Sequence, residues 1–244
     1  MRSTSFRRLS TTGIAASAAA LVFAVAPAYA QTQFGSFTPN VGALYSYDNA
    51  TGAFNSPGTS VAGNFIFSNV TTSYGGPGSV VSSLFTLTST TGANVLDPTT
   101  SDIGVSNIVL EIRDNTGGST QGTLLLRMTG TGELRFDTAS PNVATFAGDS
   151  GGAFVVNFSS DVLNFAGTTQ RTFNGALSDL DPDFAAQQNG RPNSFNSGGT
   201  IAFASTPLPV SVVPEAGTLG LALAGVPLLG LAAVARRRRS ASDN

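Results

Sequence analysis

The chain has 244 residues, with 12 basic and 14 acidic side chains for a formal net charge of −2, and it contains no His, Cys or Trp. Without imidazole or thiol there is no Ser-His-Asp or Cys-His nucleophile pair, no histidine or thiolate metal site and no disulfide. With 41% hydrophobic and only 11% charged residues, the chain is too apolar to be an acidic disordered tail.

At the N-terminus, Arg2, Arg7 and Arg8 form a basic start and Gly13 to Ala26 a run of small and apolar residues. Ala28-Tyr29-Ala30 follows as a small-residue cleavage pattern. That order predicts a secretory signal peptide over residues 1–30, cleaved between Ala30 and Gln31. The run is too short to span a bilayer, which takes about 20 residues. Arg7-Arg8 is also the pair that a twin-arginine signal carries, but its flanks fit that pattern poorly, so the general secretory route is favoured.

From Gln31 to Val213 the chain carries five Arg against twelve Asp and Glu, a net −7, which would repel the phosphates of a nucleic acid. Alternating apolar residues predict strands over Val41–Tyr47, Gly63–Val70, Val80–Thr88, Ser106–Arg113, Thr123–Met128, Glu133–Asp137, Phe154–Ser159, Val162–Phe165, Arg171–Ala176 and Thr200–Ala204. Turn signals separate them: Gly75-Gly76-Pro77-Gly78, Asp114 to Gly118, Gly130-Thr131-Gly132 and Gly148 to Gly152. No apolar stripe of helical period runs for three turns, and no repeat of fixed length recurs. The expectation is one all-β domain over residues 31–204, a β-sandwich of jelly-roll type. Residues 179–199 read as its longest irregular stretch, and residues 205–213, with Pro207 and Pro209, as an extended linker.

Several residues within this body are candidates for chemistry. Tyr45 and Tyr47 share one strand face and could stack a glycan, or pack as a half-buried pair. Thr86, Thr88 and Thr90 form a short T-x-T ladder of the kind that orders water against ice, or a plain exposed strand face. Glu111 and Glu133 are the only Glu of the body and each has an Arg two residues on; glycoside hydrolysis needs such carboxylates, and surface ion pairing explains them without catalysis. Gly148-Asp149-Ser150-Gly151-Gly152 is spelled like the nucleophile segment of trypsin-type proteases, but no imidazole exists to take the serine proton, so a glycine-rich turn is expected. Asp179, Asp181 and Asp183 recur at spacing two, and alternating carboxylates can converge on calcium. The EF-hand pattern fails there, because Phe184 and Gly190 stand where Gly and Glu are needed, leaving a solvated acidic loop as the other reading. Apart from this calcium candidate, no cofactor is implied.

Beyond the body, Val213-Pro214-Glu215-Ala216 precedes an uncharged apolar run from Gly217 to Ala235, followed by Arg236, Arg237, Arg238 and Arg239 and a short tail over residues 240–244. As a helix the run is about 28 Å long, which matches a hydrocarbon core of about 30 Å. A single transmembrane helix over 217–235 is predicted, with the Arg cluster holding the C-terminus in the cytoplasm. A proline inside it, Pro227, is tolerated in a bilayer helix.

This arrangement resembles the PEP-CTERM sorting signal of Gram-negative bacterial surface proteins, a Val-Pro-Glu-Pro box followed by one membrane helix and an Arg cluster. Val213, Pro214 and Glu215 match the box, and Ala216 stands where the last Pro usually is. The resemblance covers residues 214–239 together with the box's first residue. It implies recognition by an exosortase, a membrane protease that cuts near the box, and a role at the cell surface or in an exopolysaccharide or biofilm matrix. The expectation is therefore an exported structural or adhesive protein whose partners are the secretion machinery, an exosortase and exopolysaccharide. The competing reading is a secreted binding module for glycan, calcium or ice; an enzyme ranks third.

Overall fold

The computed structural model describes residues 31–40, 42–115 and 122–212. The predicted signal peptide, the Val213-Pro214-Glu215 box, the membrane helix and the Arg cluster lie outside these residues. Within them the structure is all-β, and no helix is long and apolar enough to cross a membrane.

Thirteen strands follow one another: β1 (Thr32–Pro39), β2 (Tyr45–Asp48), β3 (Ala53–Asn55), β4 (Val61–Phe67), β5 (Ser79–Thr90), β6 (Asp102–Asp114) and β7 (Leu124–Phe136). Then come β8 (Ala144–Asp149), β9 (Val156–Ser159), β10 (Leu163–Asn164), β11 (Gln170–Asp181), β12 (Phe195–Thr206) and β13 (Val210–Ser211). Eleven of them form one large antiparallel sheet, and β10 pairs with β13 apart from it.

Large sheets of this kind enclose a core between two faces, as the expected sandwich does. The order of the strands departs from a jelly roll, however. Neighbours run β1-β4-β5-β6-β7-β8-β11-β12, and β12 pairs back onto β1 through Thr32–Phe37. The path closes on itself, and its neighbours are mostly consecutive in sequence, whereas a jelly roll interleaves two Greek keys. The physical reason is local: strands that follow one another in sequence pair as antiparallel neighbours, as β4 with β5 across residues 68–78 and β7 with β8 across residues 137–143. Closure also removes most of the unpaired edge that a sheet otherwise presents. The β2–β3 hairpin bridges β12 to β5 at one end, and β9 lies on β7 beyond the point where β8 leaves it.

Four local expectations change. Gly130-Thr131-Gly132 is no turn but the middle of β7, where the strand exchanges β9 (opposite Arg127–Gly130) for β8 (opposite Glu133–Phe136). The Val155 carbonyl, which accepts the Thr131 N–H at 2.8 Å, comes so close that a Cβ on Gly130 would lie 1.8 Å from it. The irregular stretch shrinks to residues 182–194, because β11 runs to Asp181 and β12 begins at Phe195. The linker is also shorter: Ser205 and Thr206 belong to β12 and Val210–Ser211 form β13, while Pro207 and Pro209 fall between them, where no ladder N–H is required. Finally, β1 escapes the period-two pattern because Phe34 and Phe37 are three apart. A bulge between Gln33 and Gly35 turns both rings inward.

The core is aromatic. Phe34, Phe65, Phe158, Phe165 and Phe203 meet around one end, with ring centroids 5.2 to 6.3 Å apart. Tyr45, Phe54, Phe146 and Phe173 form a second cluster, with successive centroids at 5.5, 4.9 and 4.7 Å. Edge-to-face and offset contacts at these separations add to the burial of apolar area. These rings are buried, and the grooves lined by Asp48 and by Arg171 are open.

Candidate functional site

Tyr45 and Tyr47 do share a strand face, but that face points inward. They are 0% and 1% exposed. Tyr45 stacks on Phe54 and Tyr47 on Phe195, each pair at 5.5 Å. Burial raises the pKa of both hydroxyls. Their rings are covered by other rings, which leaves no platform for a sugar and corrects the glycan reading of this pair.

The acidic run is also not brought together. Asp179 sits at positive φ in the bulge between Ser178 and Asp181, where β11 slips its register against β12. The bulge breaks the alternation that would have aligned the carboxylates, and Asp183 lies beyond the strand end. Among the described residues no group of three carboxylates could hold a metal ion, so the geometry does not provide the calcium cage expected of Asp179, Asp181 and Asp183.

Asp181 instead finds a partner far away in sequence. Antiparallel pairing sets it opposite Asn196 on β12, and Asn196 opposite Ser46 on β2. These three and Asp48, Ser194 and Pro182 line an open groove of about 420 Å³. The Thr51 hydroxyl (2.6 Å) and the Ala50 N–H (3.1 Å) donate to the Asp48 carboxylate, and these bonds to its charged form hold its pKa below the usual carboxylate range. The groove thus presents two carboxylates, hydroxyls and one amide, which suits a neutral ligand rich in hydroxyl donors. Sequence reasoning missed Asp48. Its turn, Asp48-Asn49-Ala50-Thr51-Gly52, is legible as an Asx turn, but its apposition to Asp181 depends on strand order.

Glu111 and Glu133 form ion pairs. Glu111 meets Arg113 at 3.2 Å and Arg127 at 3.6 Å; Glu133 meets Arg135 at 2.9 Å, and Arg135 also pairs with Asp102 at 3.0 Å. Glu111 lies opposite Arg127, six residues along β7 from Glu133. At about 3.3 Å per residue that is roughly 20 Å, far beyond the spacing of a glycosidase pair, which is at most about 9.5 Å.

Thr86, Thr88 and Thr90 do point outward. Thr86 stands opposite Glu111 and Thr88 opposite Val109, so ion pairs flank the ladder directly. The Gly148–Gly152 segment is the end of β8 and a turn. There the Asp149 carboxylate accepts the Gly151 N–H at 2.7 Å and the Ser150 hydroxyl accepts the Arg171 N–H at 2.8 Å. Ser150 is held as part of the backbone frame.

The fold and these surfaces define a closed antiparallel β-barrel module with a packed interior and polar external grooves. Compared with known protein families, curated proteins and solved structures, the chain has no significant match.

Proposed function

We propose that this chain is an exported protein of the cell surface or extracellular matrix, structural or adhesive in role, sorted through a PEP-CTERM-type signal and cut by an exosortase. In this reading the signal peptide is removed before Gln31 and the helix over 217–235 inserts in the inner membrane with Arg236–Arg239 on the cytoplasmic side. The barrel is then delivered outside, in an exopolysaccharide or biofilm setting, and it is not an enzyme. The observation that carries the proposal is the order of the two terminal patterns in the sequence: the basic start, apolar run and Ala28-Tyr29-Ala30 at one end, and Val213-Pro214-Glu215, the uncharged run from Gly217 to Ala235 and Arg236–Arg239 at the other. A closed barrel suits life outside the cell, because few unpaired edges are left to aggregate.

Mass spectrometry of the protein secreted by its native host tests this. The mature product is expected to begin at Gln31 and to lack Arg236–Arg239; an intact Arg tail on the exported protein would overturn exosortase processing.

The Asp48–Asp181 groove favours a second reading, a glycan-binding module. Its carboxylates and hydroxyls would accept hydrogen bonds from sugar hydroxyls, in place of the aromatic stacking expected of Tyr45 and Tyr47. Retention of the barrel on the host's exopolysaccharide should drop at least about tenfold in Asp48→Ala/Asp181→Ala, equivalent to about 1.4 kcal/mol. Equal retention of wild type and variant would remove the groove from consideration.

A further inference from the structure

The chain leaves the barrel at a groove with one unmatched charge. Val212 donates its N–H to the Val162 carbonyl at 3.2 Å. Together with Phe158, Phe165, Ser160, Leu163 and Arg171 it lines an open groove of about 370 Å³. One wall is the end of β9, whose only ladder partner among the described residues is β7. Among the described residues no strand pairs with the other edge of β9.

Arg171 forms the polar wall. Its Nε donates to the Thr168 hydroxyl (2.8 Å), Nη1 to the Asn157 side-chain oxygen (3.3 Å), and Nη2 to the carbonyls of Phe165 (3.2 Å) and Thr168 (3.3 Å). All four acceptors are neutral. Arg113, Arg127 and Arg135 each pair with a carboxylate, whereas among the described residues Arg171 has none, as Arg191 has none where it donates to the carbonyls of Asn49 and Gly92. A guanidinium so fixed, in a groove floored by two phenylalanines, is suited to a carboxylate carried on an extended, partly apolar peptide.

Such a peptide follows at once in the sequence. Val213-Pro214-Glu215-Ala216 separates Val212 from the apolar run at Gly217, and Glu215 is its single charge. Extended chain advances about 3.3 Å per residue, which puts Glu215 within about 10 Å of Val212. We propose that residues 213–216 dock in this groove along the free edge of β9, with the Glu215 carboxylate on the Arg171 guanidinium and Val213 over Phe158 and Phe165. The barrel then covers the box of its own sorting signal, and proteolytic processing follows release of this segment from the groove. That consequence rests on the sorting reading; the docking does not.

Hydrogen exchange on the full, unprocessed chain in detergent micelles, with no protease added, tests the docking. The amides of Val213, Glu215 and Ala216 should exchange at least about tenfold more slowly than an unstructured peptide of the same sequence. Glu215→Arg should return them to the unstructured rate, and Glu215→Asp should keep most of the protection. Unprotected amides in the wild type, or protection that Glu215→Arg leaves unchanged (shielding by the micelle alone), would overturn the proposal. Either failure would leave the sorting reading intact, and an uncut tail in the secreted product would leave the docking intact.

Discussion

Tyr45 concentrates the residue-scale lesson, because its ring stabilises the fold and its hydroxyl opposes it. The ring lies between Phe54, Phe85 and Phe146, while the buried hydroxyl oxygen has no hydrogen-bond partner. Burying a hydroxyl without a partner costs on the order of 1–3 kcal/mol. Tyr45→Phe should therefore leave stability unchanged or raise it by about 1 kcal/mol, whereas Tyr45→Ala should cost about 3–5 kcal/mol through the cavity it opens. Urea denaturation midpoints at constant slope would decide, and a clear loss in Tyr45→Phe would show that the hydroxyl is bonded in solution. The sequence made it plain that Tyr45 and Tyr47 share a face. It left open whether that face was wet or dry, since tyrosine is at home in either setting and only the facing rings of Phe54 and Phe195 exclude water.

Among the elements, β7 depends most on what glycine permits. A Cβ on Gly148 would come within 2.6 Å of the Phe173 ring, and one on Gly132 within 2.5 Å of the Ala147 carbonyl oxygen and 2.8 Å of the same ring. Phe173 thus fills space that two glycines on β7 and β8 leave free. Gly132→Ala and Gly148→Ala should each lose about 1–3 kcal/mol by overpacking. Adding Phe173→Leu should recover part of the loss for Gly148→Ala, whose nearest obstacle is the ring. It should do little for Gly132→Ala, whose nearest obstacle is backbone. A double-mutant cycle by thermal or chemical denaturation measures that difference in coupling, and equal coupling for the two glycines would refute this account of the packing. Read from sequence, Gly-Thr-Gly looks like a turn, because a glycine pair marks a reversal and a change of strand partner with the same letters.

At the scale of the whole molecule, the absence of His leaves no side chain with an ordinary pKa between about 5 and 8. Stability should be flat across that interval and fall on either side of it. On the acid side, Asp48 and Asp97 have pKa values lowered first by hydrogen bonds, Asp48 from the Thr51 hydroxyl and Asp97 from the Thr99 and Thr100 N–H groups. A lowered folded-state pKa means that their contribution is present above the unfolded value, about 3.9, and is lost as pH falls toward the folded one. On the alkaline side, burial raises Tyr45, Tyr47 and Tyr74, so their contribution is present below about pH 10 and is lost as pH rises above it. Melting temperature against pH should trace this plateau, and Asp97→Asn should make the acid limb shallower; an unchanged limb would remove Asp97 from the account. The sequence by itself determined the all-β class, the i, i+2 ion pairs of Glu111 with Arg113 and Glu133 with Arg135, and the acidic charge of the body. Each of these follows from composition or from the two-residue period of a strand, which a chain carries locally. Only the tertiary structure decided that β12 returns to β1, that Tyr45 and Tyr47 face inward, and that Asp181 lines one groove with Asp48 instead of forming a cage with Asp179 and Asp183. Alternation divides a strand into two faces without saying which is buried or which strand lies alongside. Those choices are made when the whole ring of strands closes over one shared core.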